Sequence, residues 1–231
     1  MTELIIRTLK EVARHTLYTV GLRRPKGRLQ QAARGERFAD IYDRGLWQLG
    51  QAEQPLSGHG SSIAVTEAIR SKLPDLLKAL KTETLLDIGC GDLTWIQTLG
   101  LEHYIGVDIV PSVIEANRKL LPEREFHCLD AVVDDLPEAD TVLCREILFH
   151  LSFSDIRALI ANLARKERRW LIATTDLATL FNSDISTGDF RLLNLRRAPF
   201  RFPEPVMSIE DDGLMPGRTL SVWSIKDLQF R

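Results

Sequence analysis

The sequence predicts an α/β protein built on a parallel sheet that is covered by helices on both faces. Three observations carry this prediction. From residue 83 onward, short β-rich runs alternate with stretches of helical spacing, which is the pattern of βαβ units. The runs are apolar almost throughout, as strands buried on both faces are. And 231 residues suit one such domain with an N-terminal extension better than two full domains.

The first element is an amphipathic helix over residues 2–20. Leu4, Ile5, Leu9, Val12, Thr16, Leu17 and Val20 recur at three- and four-residue steps, with Arg7, Lys10, Glu11 and Arg14 mostly between them. Residues 1–30 hold seven Lys/Arg against two Asp/Glu, ending in Arg23, Arg24, Lys26 and Arg28. The favoured reading packs this helix on its own domain or on a second subunit, the latter giving a homodimer. A basic amphipathic helix can also lie on an anionic membrane surface as a peripheral contact, or hold nucleic acid; nucleic acid is the least favoured partner.

Strands are expected at 84–88, 103–108, 125–129, 141–144 and 170–174, and helices at 93–99, 112–121 and 154–165. Pro111 opens the second of these helices, where a missing N–H costs nothing, and Ser152 or Ser154 caps the third. After Thr175 the chain reads as a long substrate-side loop carrying Pro199, Pro203 and Pro205, followed by a closing strand at 220–225. Phe200, Phe202 and Trp223 read as core residues.

Composition sets further bounds. With 44% apolar residues, 27% charged residues and a net charge of −2, the chain is neither disordered nor a polyelectrolyte, and its charge names no partner. Cys90, Cys128 and Cys144 are odd in number, lack C-x-x-C spacing and end apolar runs, so they read as reduced core thiols; no metal ligands are expected. There is no apolar run of about 18 residues and no signal-peptide pattern, and the expected location is cytoplasmic.

Four short segments carry the chemistry. Leu85-Leu86-Asp87-Ile88-Gly89-Cys90-Gly91-Asp92 is a buried strand entering a Gly-x-Gly turn, where glycines let backbone pass close to a ligand. The third glycine of a dinucleotide fingerprint is missing, which disfavours NAD. Tyr104-Ile105-Gly106-Val107-Asp108 places a carboxylate 17 residues after Gly91, near the spacing at which an acid meets a ribose diol. Asp130, in Cys128-Leu129-Asp130-Ala131, closes the third strand, and Cys144-Arg145-Glu146 ends the fourth.

In order and spacing, these segments resemble the motifs of the class I S-adenosylmethionine-dependent methyltransferases over roughly residues 83–175. The resemblance implies a Rossmann-like, seven-stranded, mostly parallel sheet with an antiparallel last strand. It divides the chain into an N-terminal helical extension and lid (1–60) and a class I methyltransferase domain (61–231). It also implies S-adenosylmethionine as cofactor, with S-adenosylhomocysteine as product. Asp87, Gly89 and Gly91 would line the methionine end and Asp108, followed by Ile109, would bind the ribose hydroxyls. Asp130 and Ala131 would contact the adenine, with Arg145 and Ser61 completing the set. Ser57-Gly58-His59-Gly60-Ser61, the segment from Arg145 to Leu151, and residues 182–195 further resemble a narrower group of bacterial methyltransferase-like proteins with no single agreed substrate.

Methyl transfer to a hydroxyl needs a base near the cofactor's sulfur. His150 follows the fourth strand end by a few residues, and Glu146, four positions earlier, would orient it if both lay on one helical turn. His59 is the second choice of base. Asp176 with Glu146 could hold Mg2+, though this is not favoured. Asn182, Asp184, Asp189, Arg191 and Asn194 form a polar patch that could grip a hydroxylated acceptor, or else cap its own loop. The leading expectation is O-methylation of a sugar or other small hydroxylated acceptor, that is, glycan or small-molecule modification. The alternatives are an RNA or protein methyltransferase and a non-catalytic cofactor-binding scaffold.

Overall fold

The structure, a computed structural model, describes residues 31–48 and 53–228. The amphipathic helix expected over 2–20 and the basic cluster after it lie outside these residues. Helix α1 is Gln31–Asp43 and α2 is Glu67–Ala79. Then come β1 (Leu85–Ile88), β2 (Tyr104–Asp108), α3 (Pro111–Leu120), β3 (Glu125–Cys128) and β4 (Thr141–Cys144). They are followed by α4 (Phe153–Leu163), β5 (Trp170–Asp176), β6 (Met207–Glu210) and β7 (Arg218–Ser224).

The strands form one seven-stranded sheet in the order β3-β2-β1-β4-β5-β7-β6. β1 to β5 are mutually parallel, and β7 runs antiparallel to both β5 and β6. The expected Rossmann-like α/β sheet with an antiparallel last strand is therefore present. The order steps outward from β1 to β2 and β3, then returns to place β4 on the other side of β1. That reversal opens a crevice at the carboxyl ends of β1 and β4, where ligands bind in open α/β sheets.

Alternation along each strand divides the core into two layers. Leu86, Ile88, Val142, Cys144, Leu171, Ala173 and Trp223 face one layer, with Ile156, Leu159, Ile160 and Leu163 of α4. Leu85, Leu143, Ile172, Leu220 and Val222 face the other, with Ile69, Leu73, Leu76 and Leu77 of α2. Phe200, Phe202 and Trp223 pack in the first layer as expected, in edge-to-face contacts. Pro111 is at the start of α3, and Ser152 caps α4 by accepting the Asp155 N–H at 3.1 Å.

The structure departs from expectation in four places. Residues 93–99 form only a 3-10 turn, Ile96–Leu99, because Leu93 takes a φ of 59° and interrupts any longer helix. Cys128 is exposed, since it ends β3, an edge strand with only Phe126 fully buried. β5 continues two residues further, to Asp176, because β7 pairs along its whole length. β6 is an additional edge strand, largely exposed, that pairs only with β7. Among the described residues, no helix is long and apolar enough to cross a membrane.

Candidate functional site

A cleft opens at the carboxyl ends of β1, β2 and β4, lined among others by Gly89, Asp108 and Glu146. One end is built from the turn after β1. Gly89 has a φ of +69° and donates its N–H to the Val107 carbonyl at 2.7 Å. A Cβ there would run into Ile147, whose Cγ1 lies 2.6 Å from that position, so only glycine leaves this stretch of backbone bare toward the cleft. Gly91 does not line the cleft. It supports the wall from behind, donating its N–H to Asp108 Oδ2 at 3.2 Å and accepting from Asn117 Nδ2 at 2.7 Å.

Asp108 ends β2 in the cleft wall and also accepts the Val110 N–H at 3.0 Å. Burial pushes its carboxyl up to about 6, against the pull of those backbone donors. Asp87, the third residue of β1, accepts from the Tyr104 hydroxyl at 2.8 Å and is pushed up to about 7 by burial. Ile109, Asp130, Ala131 and Ser61 line the same cleft. Asp130 is already engaged, with Arg34 Nε donating to Oδ2 at 2.8 Å and the Val132 N–H to Oδ1 at 3.0 Å.

The far wall comes from residues that sequence reasoning missed. α1 contributes Arg34, Phe38 and Tyr42, Trp47 follows, and Ser57 comes from the next segment, beside the expected Ser61. Steps of four put the first three on one helical face, a signal present in the sequence though masked by the polar residues between them. Ser57 Oγ donates to Asp92 Oδ1 at 2.8 Å, tying this wall to the turn after β1.

At the other end, Arg145, Glu146 and His150 all line the cleft, but Glu146 does not orient His150. Glu146 has a φ of 59°, so the chain leaves β4 through a left-handed residue, not along one helical turn. Its carboxylate accepts from Arg218 Nη1 at 2.6 Å. The same guanidinium donates through Nε to Asp176 Oδ1 at 3.0 Å, and Arg145 holds Asp211 at 3.0 and 3.1 Å. The Mg2+ pairing of Asp176 with Glu146 is thereby corrected: an arginine occupies the space between the two acids. Among the described residues, no group of three or more acids, histidines or cysteines is placed to hold a metal ion.

His150 is instead oriented by the Asp189 carbonyl, 2.9 Å from Nδ1. A carbonyl only accepts, so the neutral ring carries its proton on Nδ1 and keeps a lone pair on Nε2. Loss of solvation pushes the imidazole down to about 4, only partly offset by the Asp189 carbonyl and Glu146, so it is neutral at physiological pH. Trp47, Phe149 and Phe190 surround the ring, with centroids at 5.1, 4.7 and 5.8 Å. His59, the second candidate base, is exposed, has Nδ1 2.8 Å from Gln54 Oε1 and does not line the cleft.

The polar patch after β5 turns inward. Asn182 donates to the Asn194 and Ala198 carbonyls, each at 2.8 Å. Asn194 donates to the Leu177 and Thr179 carbonyls, Asp184 accepts from Phe153 and Ile185, and Arg191 donates to Leu151. Asp189 pairs with Arg37 at 2.9 Å. Asn182 and Asn194 thus cap their own loop, the second of the two readings of the patch, whereas Asp184, Arg191 and Asp189 tie that loop to the start of α4 and to α1.

A family model described as a methyltransferase domain matches residues 86–166. No curated protein sequence matches the chain. Among solved structures, the N-methyltransferase NodS of Bradyrhizobium japonicum is 16% identical with a TM-score of 0.49, the match covering 69% of this chain and 96% of that one. The magnesium protoporphyrin IX methyltransferase of Synechocystis, with bound SAM, is 18% identical with a TM-score of 0.46, covering 65% and 78%. The methyltransferase domain of a bacterial Hen1 protein is 18% identical with a TM-score of 0.44, covering 53% and 75%.

Proposed function

We propose that the chain, whose residues 86–166 match a methyltransferase domain, is a class I, S-adenosylmethionine-dependent methyltransferase that methylates the oxygen of a small hydroxylated acceptor, with His150 as general base. The observation that carries this reading is a single cleft holding both the Gly89–Asp108 cofactor signature and a His150 locked in the tautomer that accepts a proton at Nε2. The residues present fit the methyl donor: bare backbone at Gly89, a carboxylate at Asp108 for a vicinal diol, and Ile109 and Ala131 as apolar walls for a flat base.

When bound, the donor supplies an electrophilic methyl group on a positively charged sulfur. Asp108 accepts from the ribose hydroxyls, while Asp87, Gly89 and Arg145 hold the amino-acid end. Asp130 reaches the adenine side with its carboxylate steadied by Arg34. His150 Nε2 takes the acceptor's proton, and the Asp189 carbonyl supports the imidazolium through Nδ1–H. Glu146, fixed by Arg218, adds negative charge near that imidazolium without touching it. The described residues up to 60 act as an extension and lid, since Arg34, Phe38, Tyr42, Trp47 and Ser57 complete the cleft wall. Three free cysteines accord with a cytoplasmic setting.

The test is transfer of labelled methyl from S-adenosylmethionine into separated glycan, lipid, RNA and protein fractions of host extract and into small-molecule hydroxyl compounds. Label on small-molecule or glycan oxygen, lost in His150→Ala, is expected. Label confined to RNA or protein would overturn the acceptor class, and tight cofactor binding with no label anywhere would favour a non-catalytic role.

A further inference from the structure

The environment of His150 narrows the acceptor. With most of the polar residues after β5 committed to backbone groups, the side chains around the base are mainly aromatic. Tyr42 and Trp47 stand 5.2 Å apart edge to face, and Phe38 lies 6.2 Å from Trp47. Trp47 and His150 lie 5.1 Å apart with only 34° between their planes, so the two rings pack partly over one another, and both line the cleft wall. Phe190, half-exposed, extends that wall beyond His150. Ile147 and Leu151 add apolar lining, and the polar Arg145 and Glu146 beside them are paired with Asp211 and Arg218.

We infer that the acceptor is a planar aromatic ring carrying the reacting hydroxyl, a phenol-type compound seated against the Trp47–His150 wall. This rests on the O-methyltransferase reading above. Aromatic rings pack against one another in offset or edge-to-face contact and gain from it beyond the area they bury. A sugar needs a fixed partner for each hydroxyl taken out of water, because every one left unpaired carries a desolvation penalty. Asn182, Asp184, Arg191 and Asn194, the nearest candidates in sequence, are bonded to backbone groups, the two asparagines within their own loop and Asp184 and Arg191 to Phe153 and Leu151.

The proton balance agrees. In the transfer, the acceptor's O–H bond breaks, its proton goes to His150 Nε2 and an O–CH3 bond forms. The S–CH3 bond breaks with its electron pair returning to sulfur, leaving S-adenosylhomocysteine, and His150 then loses its proton to water. A base held near 4 is poorly matched to an aliphatic hydroxyl, which is nearly as weak an acid as water at about 15.7. A phenol, near 10, brings the two groups several units closer.

Three probes of matched size decide the matter: a naphthol, its fully saturated counterpart and a methyl glucoside. Each is titrated by calorimetry into protein loaded with S-adenosylhomocysteine and assayed for labelled methyl transfer. The naphthol is expected to bind at least tenfold more tightly than the saturated compound and to be methylated on oxygen. Trp47→Ala should weaken naphthol binding about tenfold and Trp47→Phe should recover most of it, with far-UV circular dichroism and Tm reporting that each variant is folded. Equal or tighter binding of the saturated compound or the glucoside, their preferential methylation, or naphthol binding without transfer would each overturn the aromatic assignment. Failure of the wild-type protein to bind S-adenosylhomocysteine would instead overturn the methyltransferase reading, and this inference with it.

Discussion

Arg34 and Asp130 form a buried ion pair, Nη2 to Oδ2 at 2.6 Å, with both side chains almost fully enclosed. The same guanidinium reaches Asp155 Oδ1 at 3.4 Å, and Thr187 donates to the other oxygen of Asp155 at 2.6 Å. One side chain therefore joins α1, the loop after β3 and the first turn of α4, and it does so in the wall of the cofactor cleft. The cleft depends on that tie, because α1 supplies Phe38 and Tyr42 to the opposite wall.

Removing one partner of a buried ion pair leaves the other charge without compensation. Arg34→Met is expected to destabilise the fold by about 3–5 kcal/mol and to weaken S-adenosylhomocysteine binding. Arg34→Lys should fall well short of full rescue, since an ammonium does not reproduce the forked contact to two carboxylates. Urea denaturation monitored at two wavelengths measures the stability change, and a loss under 1 kcal/mol for Arg34→Met would sink the idea that this pair anchors α1.

Cofactor affinity should depend on pH through Asp108 and Asp87, which burial holds at about 6 and about 7. In the proposed role both bind the donor as carboxylates, so affinity is expected to be constant above these values and to fall as the pH drops through 7 toward 5. Stability without ligand runs the other way. With a folded value above the unfolded 3.8, the native state binds more protons in that window, and stability declines as pH rises from about 4 to about 6 for Asp108. Calorimetric titration of S-adenosylhomocysteine from pH 5 to 8 is the check. Asp108→Asn, which keeps an oxygen for one backbone N–H, should lose at least tenfold in affinity and flatten the lower limb.

The central sheet was legible because the strands are buried on both faces: Thr141–Cys144 and Tyr104–Asp108 read as apolar runs, and their observed bounds match to within a residue. Gly89 and Asp108 were equally legible, since a bare backbone and a strand-end carboxylate follow from chain order alone. Residues whose roles depend on distant partners were not. Glu146 and His150 are four apart in sequence, but Arg218, 72 positions away, captures the acid, and the Asp189 carbonyl, 39 positions away, takes the imidazole. β6 escaped notice for the opposite reason, being an exposed edge strand without a hydrophobic pattern.

His150→Ala is expected to lower kcat by about 10^2–10^4, the usual contribution of a positioned base. Since loss of solvation holds this imidazole at about 4, the wild-type kcat profile should show no inflection near 6.5 and should be flat with respect to His150 above pH 5. A limb at 6.5 that disappears in His150→Ala would show the ring to be solvated during turnover and would contradict its enclosure by Trp47 and Phe149.

The Gly89–Ile147 approach can be tested by relief. Gly89→Ala places a methyl group where the Ile147 side chain sits and imposes the strain of a Cβ at a φ of +69°. Two penalties of different origin are thus combined, steric overlap and a left-handed backbone that costs about 1–2 kcal/mol. Gly89→Ala alone should abolish measurable S-adenosylhomocysteine binding and lower Tm. Adding Ile147→Ala opens the space and should recover part of the stability, but not the part owed to φ. A double variant no better than Gly89→Ala would mean that the clash is not what excludes a side chain here. Full recovery would mean that the turn relaxes to a conformation open to any residue, and that glycine is needed there for the ligand alone.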